Sequence, residues 1–167
     1  MSKRPKYWNS AVKYLSKIDP VMKKLISHYK DKTLTTRKDI FYSLCKSIIG
    51  QQISVQAANS VFKKFENKSF DPKKIKFMTD EEAIIYLSSL RQIGRWSAEM
   101  ILLFTLNRPD IWPVQDIGLL RSISNNYKKK YFPPKKFIEF LRKKFTPYCS
   151  VATWYLWRSI DDEPIQY

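Results

Sequence analysis

With 167 residues, the chain has room for one domain, or for two small helical lobes sharing a core, and its 44% hydrophobic and 15% aromatic content can fill it. The formal charge of +16, from 31 basic and 15 acidic residues, favours a polyanion as partner, nucleic acid first, because every neutralised phosphate releases counterions. No apolar run reaches the ~18 residues that cross a bilayer, and Cys45 and Cys149, far apart and without a CxxC pair, exclude a four-cysteine zinc site or iron–sulfur cluster built by this chain alone.

The apolar spacing is helical almost throughout, and it predicts an all-α orthogonal bundle. Tyr7, Trp8, Ala11, Val12 and Leu15 make a first stripe. Asp19-Pro20 reads as N-cap and first helical position, followed by Val21, Met22, Leu25, Ile26 and Tyr29. Ile40 to Ile49 forms a third stripe ending at Gly50, and Ser54 can cap a fourth helix through Phe65. Residues 66–77 read as the least structured piece, a Lys/Asn/Pro-containing connector. Thr79 and Glu82 form a capping box for the next helix, and the nearly all-apolar stretch from Ser97 to Leu106 predicts a buried one. Further helices are expected after Pro113, over residues 134–145 and over residues 148–160, with no alternating strand anywhere.

Charge is concentrated late in the chain. Lys128, Lys129, Lys130, Lys135, Lys136, Arg142, Lys143 and Lys144 face one acidic residue, Glu139, so the segment is either a solvated face or one that tracks phosphates. The first residues, Met1 to Lys6, are basic with no apolar stretch of the signal-peptide kind behind them, which makes the cytoplasm the expected location. The single histidine, His28, lies beside Tyr29 and Lys30 and is given no role.

Three places carry candidate chemistry. Between Leu90 and Ala98 one helix ends, a tight turn containing Gly94 follows, and a buried helix begins. Backbone N–H groups at such a helix start suit a phosphate, and Arg91 and Arg95 add charge. Asp116 stands alone among apolar and amide neighbours at another helix start. It is either an N-cap or a carboxylate that activates water and stabilises a developing cationic sugar, and one residue can serve both ends. Trp96, Trp112, Trp154 and Trp157 are core candidates, and some could instead wall a slot for a flipped base. With only three glycines in the chain, Gly50, Gly94 and Gly118 mark positions of unusual backbone angle or close approach.

Three blocks together resemble the helix-hairpin-helix DNA glycosylases, and among them the bacterial 3-methyladenine glycosylase II group: Ile48 to Ala58, Ile93 to Phe104, and Arg108-Pro109-Asp110 with Pro113 to Leu119. Pro147 to Ser159 resembles the group's closing helix. The resemblance implies one glycosylase-like domain over residues 1–167, with its hairpin at about 86–106. It implies a monomer that binds double-stranded DNA carrying alkylated bases, associates with the nucleoid, and needs no cofactor or iron–sulfur cluster. Asp116, 22 positions after the hairpin glycine (116 − 94), matches the catalytic aspartate. Arg91, Ile93, Gly94 and Arg95 match the phosphate grip, whose carbonyls, here near Leu90 and Ile93, often hold a monovalent cation. Gln52, with Gln51 beside it, matches the wedge that fills the gap left by a flipped nucleotide, while Trp96 and Trp157 match pocket aromatics. In relatives that also cut the strand a lysine stands at the position of Trp96. Tryptophan cannot form a Schiff base, so the resemblance implies a monofunctional enzyme that uses water. The chain departs from the group in having Gln92 where the hairpin has glycine, and in lacking an extra helical segment between Phe65 and Thr79. These departures keep a non-catalytic, DNA-binding or damage-sensing remnant open as the alternative.

Overall fold

The computed structural model describes residues 4–35, 71–90 and 93–161, the Pro72 side chain excepted. The third and fourth predicted helices, with Gly50, Gln51, Gln52, Arg91 and Gln92, lie outside the described residues. Within them the structure is helical and contains no strand. Contacts divide the chain into two compact units, one formed by Met1–Thr36 with Arg108–Gln166 and the other by Arg37–Asn107.

In the first unit, α1 (Trp8–Ile18) is followed at once by α2 (Pro20–His28). Asp19 ends the one and caps the other: its extended backbone breaks the helix, its Oδ1 accepts from Met22 N–H at 2.9 Å, and Pro20 takes the first helical position. Three more helices complete the unit, α5 (Ile117–Tyr127), α6 (Lys135–Phe145) and α7 (Cys149–Arg158). Every residue of α7 is buried, and α1, α2, α5 and α6 all pack on it. Trp8, Leu15, Met22, Ile123, Leu141 and Phe145 fill the interior with it. This arrangement explains why α7 is rich in apolar residues on every face, with Ser150, Thr153 and Arg158 buried among them.

The second unit contributes α3 (Asp80–Ser88) and α4 (Arg95–Phe104), packed against each other. The Thr79/Glu82 capping box forms as expected, with reciprocal bonds between the Thr79 and Glu82 side chains and backbones. Ser97 to Leu103 are all buried, as the spacing predicts. The described part of the connector, residues 71–77, is more ordered than its composition suggests. Pro72–Phe77 is a 3-10 helix, with Asp71 Oδ1 accepting from Lys73 N–H at 2.9 Å. Asp71-Pro72 repeats the Asp19-Pro20 device, and Ile75, fully buried, anchors the turn.

One buried carboxylate ties three elements of the first unit together. Asp19, 2% exposed, accepts from Met22 N–H, from Tyr127 Oη–H at 3.0 Å, and from Lys144 Nζ at 2.6 Å. Burial and the neighbouring Asp19 charge push the Tyr127 hydroxyl well above the ordinary phenol range, so it stays a donor. Asp19→Ala should cost about 3 kcal/mol, because it removes a cap and strands buried donors. Lys144→Ala should cost less, since Lys144 is partly exposed and Asp19 keeps two donors. Urea denaturation of both variants measures the difference, and equal losses would contradict this division.

Candidate active site

The loop before α5 is locked to the start of α7. Ser150 N–H donates to the Pro109 carbonyl at 3.0 Å, Ser150 Oγ donates to the Arg108 carbonyl at 2.6 Å and accepts from Ile111 N–H at 2.9 Å. Asp110 accepts from Cys149 N–H at 3.2 Å and from Thr146 Oγ at 3.1 Å, and its carbonyl accepts from Arg142 at 2.9 Å. Burial and the Asp110 charge push the Cys149 thiol far up, out of the reactive range. Sequence reading passed over Asp110 and Ser150 as parts of matching blocks, because their partners lie 32 to 42 positions away.

Beyond this lock, Asp116 N–H donates to the Pro113 carbonyl at 2.9 Å, and Asp116 becomes the N-cap of α5. Its Oδ1 accepts two short bonds, from Leu119 N–H at 2.6 Å and from Trp157 Nε1–H at 2.7 Å. Asp116 is 7% exposed, and its neighbours in the chain, Gln115 and Ile117, are exposed. Trp157, on α7, is 2% exposed. Its indole N–H holds the Asp116 carboxylate. Trp112 and Trp154 are core residues: Trp112 packs edge-on against Phe145, and Trp154 against Trp8 and Tyr155.

Gly118 makes the bond between Trp157 and Asp116 possible. A Cβ there would lie 3.1 Å from Asp116 Oδ1 and 3.3 Å from Trp157 Cδ1, and a buried tryptophan has no room to retreat. The sequence expectation of close approach holds at this glycine, and its cause is the indole. Gly118→Ala should therefore lengthen or break the Trp157 bond while leaving the Leu119 cap, with a net loss of about 1–2 kcal/mol. Indole N–H chemical shift and hydrogen exchange at Trp157 report the bond directly, and an unchanged resonance would refute the account.

In the second unit the hairpin begins where α3 ends. Leu90 N–H donates to Leu87, and Ile93 N–H donates to the Leu90 carbonyl, both at 3.1 Å. Gly94 is the N-cap of α4 with no side chain to cap it, its carbonyl accepts from Ala98 N–H at 3.0 Å, and its φ is −81°. Apart from its own chain neighbours, a Cβ built on Gly94 meets no heavy atom of the described residues within 4 Å. Among the described residues nothing requires glycine here, unlike at Gly118. Ile93 is buried beneath the turn, and Trp96 is half-buried on the first turn of α4.

Arg95, exposed beside Gly94, is already held. Its Nη atoms bind Glu81 bidentately at 2.6 and 2.8 Å, and its Nε binds the buried Glu99 at 3.1 Å. These bonds hold its guanidinium further above its ordinary range and lower the Glu81 carboxyl below its own. The Glu99 contact is readable as an i,i+4 pair, but Glu81 is 14 positions distant and no local signal announces it.

No protein-family model matches the chain. It is similar to DNA-3-methyladenine glycosylase 1 of Schizosaccharomyces pombe, 24% identical over 180 residues that cover 81% of this chain and 79% of that protein. It is also similar to the alkylbase DNA glycosidase-like protein mag2 of the same organism, 33% identical over 108 residues, or 65% of this chain and 49% of that protein; the chain spans about half of that relative's length. Among solved structures, the Clostridium acetobutylicum 8-oxoguanine glycosylase/lyase in complex with double-stranded DNA superposes with a TM-score of 0.73 at 17% identity, over 95% of this chain and 71% of that one.

Proposed function

We propose that the chain is a helix-hairpin-helix DNA glycosylase, a monofunctional alkylpurine-DNA glycosylase of the 3-methyladenine glycosylase II type, a reading supported by its likeness to named 3-methyladenine glycosylases. The observation that carries this reading is the seat of Asp116. Two N–H donors fix the carboxylate at the N-cap of α5, at the position that the resemblance matches to the catalytic aspartate. The relatives named for 3-methyladenine glycosylase activity support the same substrate class.

The chemistry asked of Asp116 is modest. A 3- or 7-alkylated purine carries a positive charge and leaves readily: the bond from C1′ to the ring nitrogen breaks, the electron pair departs with the base, and the base becomes neutral. Positive charge then develops on the sugar, where a fixed carboxylate stabilises it. Water adds at C1′ and gives up its proton, with Asp116 as acceptor. Trp96 supplies no amine for a Schiff base at its position, which favours water over a covalent route. Gly94, whose missing side chain no contact among the described residues requires, is suited to close approach of a phosphate. A monovalent cation on the carbonyls near Leu90 and Ile93 would add charge to that grip. The Leu90 carbonyl, accepting one bond from Ile93, retains a second lone pair for it. The partner is double-stranded DNA with alkylated bases, taken by a monomer in the cytoplasm and at the nucleoid, with Gln52 and Gln51 filling the gap and Trp96 facing the extruded base. Trp157 acts through Asp116.

The non-catalytic alternative has its own support, since Asp116 demonstrably caps α5. Asp116→Asn separates the two. The amide oxygen can accept the same two N–H bonds, and asparagine caps as well as aspartate, so stability should change by less than about 1 kcal/mol. Base release from methylated DNA should fall by at least about a hundredfold with DNA affinity equal or higher. A variant that releases base like the wild type would make Asp116 a cap and nothing more.

Arg95 gives a second test. Phosphate must compete with Glu81 for its guanidinium, so Glu81→Gln should tighten duplex binding and steepen the dependence of log K on log salt by about 0.9, one additional phosphate contact. A slope that does not move would remove Arg95 from the phosphate grip.

A further inference from the structure

Helix α5 carries Asp116 at its N-terminus, and its other end opens onto a different surface. The chain turns at Lys128, in the left-handed region with φ 51° and ψ 47°. Lys129 N–H donates to the Ser124 carbonyl at 3.0 Å, and Ser124 Oγ donates to the Lys130 carbonyl at 3.2 Å, which pins the next residues to the helix. Tyr131 and Phe132 follow, 53% and 61% exposed, their ring centroids 4.4 Å apart and planes within 23° of parallel. On α6, Phe140 is 54% exposed and stacks on Phe137 at 6.1 Å, while Lys129 Nζ lies 4.8 Å from the Phe137 centroid.

Lys128 and Lys130 flank the Tyr131-Phe132 pair in the chain, and Lys135, Lys136 and Lys143 share α6 with Phe140; all five are exposed and take part in none of the ion pairs among the described residues. Lys135 and Lys136 occupy the first turn of α6, which holds no acidic residue, although the helix dipole disfavours cations there. Folding therefore gains nothing from their charge. Nor does the core need the exposed rings, because the inward face of α6 is already provided by Ile138, Leu141 and Phe145.

We propose that this face is a second binding site, one for single-stranded nucleic acid, with unstacked bases lying on Tyr131, Phe132 and Phe140 and phosphates on the exposed lysines. Open aromatic faces within a positive field are what a single strand uses. A duplex offers phosphates but keeps its base faces covered, and a bilayer would require an exposed apolar helix face that α6 has buried in the core. The site is separate from Asp116. From residue 116 to residue 128 the chain rises about 18 Å along α5, at about 1.5 Å per residue. It stands without the glycosylase reading.

The full-length protein tests this with two probes, a bromodeoxyuridine-substituted single-stranded oligonucleotide for photo-crosslinking and a fluorescent oligothymidylate for anisotropy. Crosslinks should map to the peptide containing Tyr131 and Phe132. Replacing both by leucine should weaken oligothymidylate binding about tenfold or more, because the apolar bulk remains and the ring face does not. Lys135→Glu with Lys136→Glu should weaken it too and flatten its salt dependence, in a protein at least as stable as the wild type, since the helix dipole favours the new charges. Asp116→Asn should bind the single strand unchanged. Crosslinks confined to other peptides, or a leucine pair that binds like the wild type, would overturn the proposal. So would phosphatidylglycerol vesicles that bind the wild type and lose the leucine pair while oligothymidylate binding stays constant.

Discussion

The contact on which the candidate site depends is the double grip on Asp116 Oδ1, by a backbone N–H one turn into α5 and by the indole of Trp157 on α7. Each partner does a different thing. The Leu119 bond is a helix cap and would form in any helix that starts with aspartate. The Trp157 bond is tertiary: it exists only because α5 and α7 pack closely, and they pack closely there because Gly118 has no side chain to intervene. A carboxylate held by one bond could rotate. Held by a cap on one helix and an indole on another, it keeps a fixed direction, which preorganised charge stabilisation needs.

That direction is itself supported from further away. The loop that delivers Asp116 is fastened to the N-terminus of α7 by Asp110 and Ser150, and α7 is the helix that also carries Trp157. The two ends of the site are thus referenced to one buried element. An enclosed helix of this kind deforms little, because its side chains on every face are in contact with neighbours. The wholly buried α7 and the short cap on α5 are parts of the same construction.

How far this could be read from the sequence depends on the range of each interaction. The Asp19-Pro20 start, the Thr79/Glu82 box, the buried character of α4 and the capping role of Asp116 were all legible, because each is decided within four residues. The 3-10 helix at Pro72–Phe77 was missed: its polar composition read as an unstructured connector, although Asp71-Pro72 carries the same signal as Asp19-Pro20. What local pattern could not give were the pairings over distance: Asp19 with Lys144, Glu81 with Arg95, and Trp157 with Asp116. The last of these adds to the meaning of a tryptophan. The resemblance gave Trp157 the part of a pocket aromatic, and the structure adds that its indole N–H holds Asp116. Glycine numbers alone were equally ambiguous, since Gly118 answers to an internal contact and Gly94 to none among the described residues.

The contrast between those two glycines extends to the charges. A residue whose properties are explained by its own fold needs no partner to account for it; Gly118, Asp19 and Lys144 are of this kind. Among the described residues nothing so explains Gly94, nor the lysines at the start of α6, placed where the helix dipole opposes them. Arg95 falls between, with its charge balanced by two carboxylates until a stronger anion competes. Sorting the +16 charge in this way separates cations that hold the molecule together from cations the fold would be no worse without. The second group, together with the exposed rings beside it, is where binding has to be sought, because internal stability supplies no reason for those residues to be there.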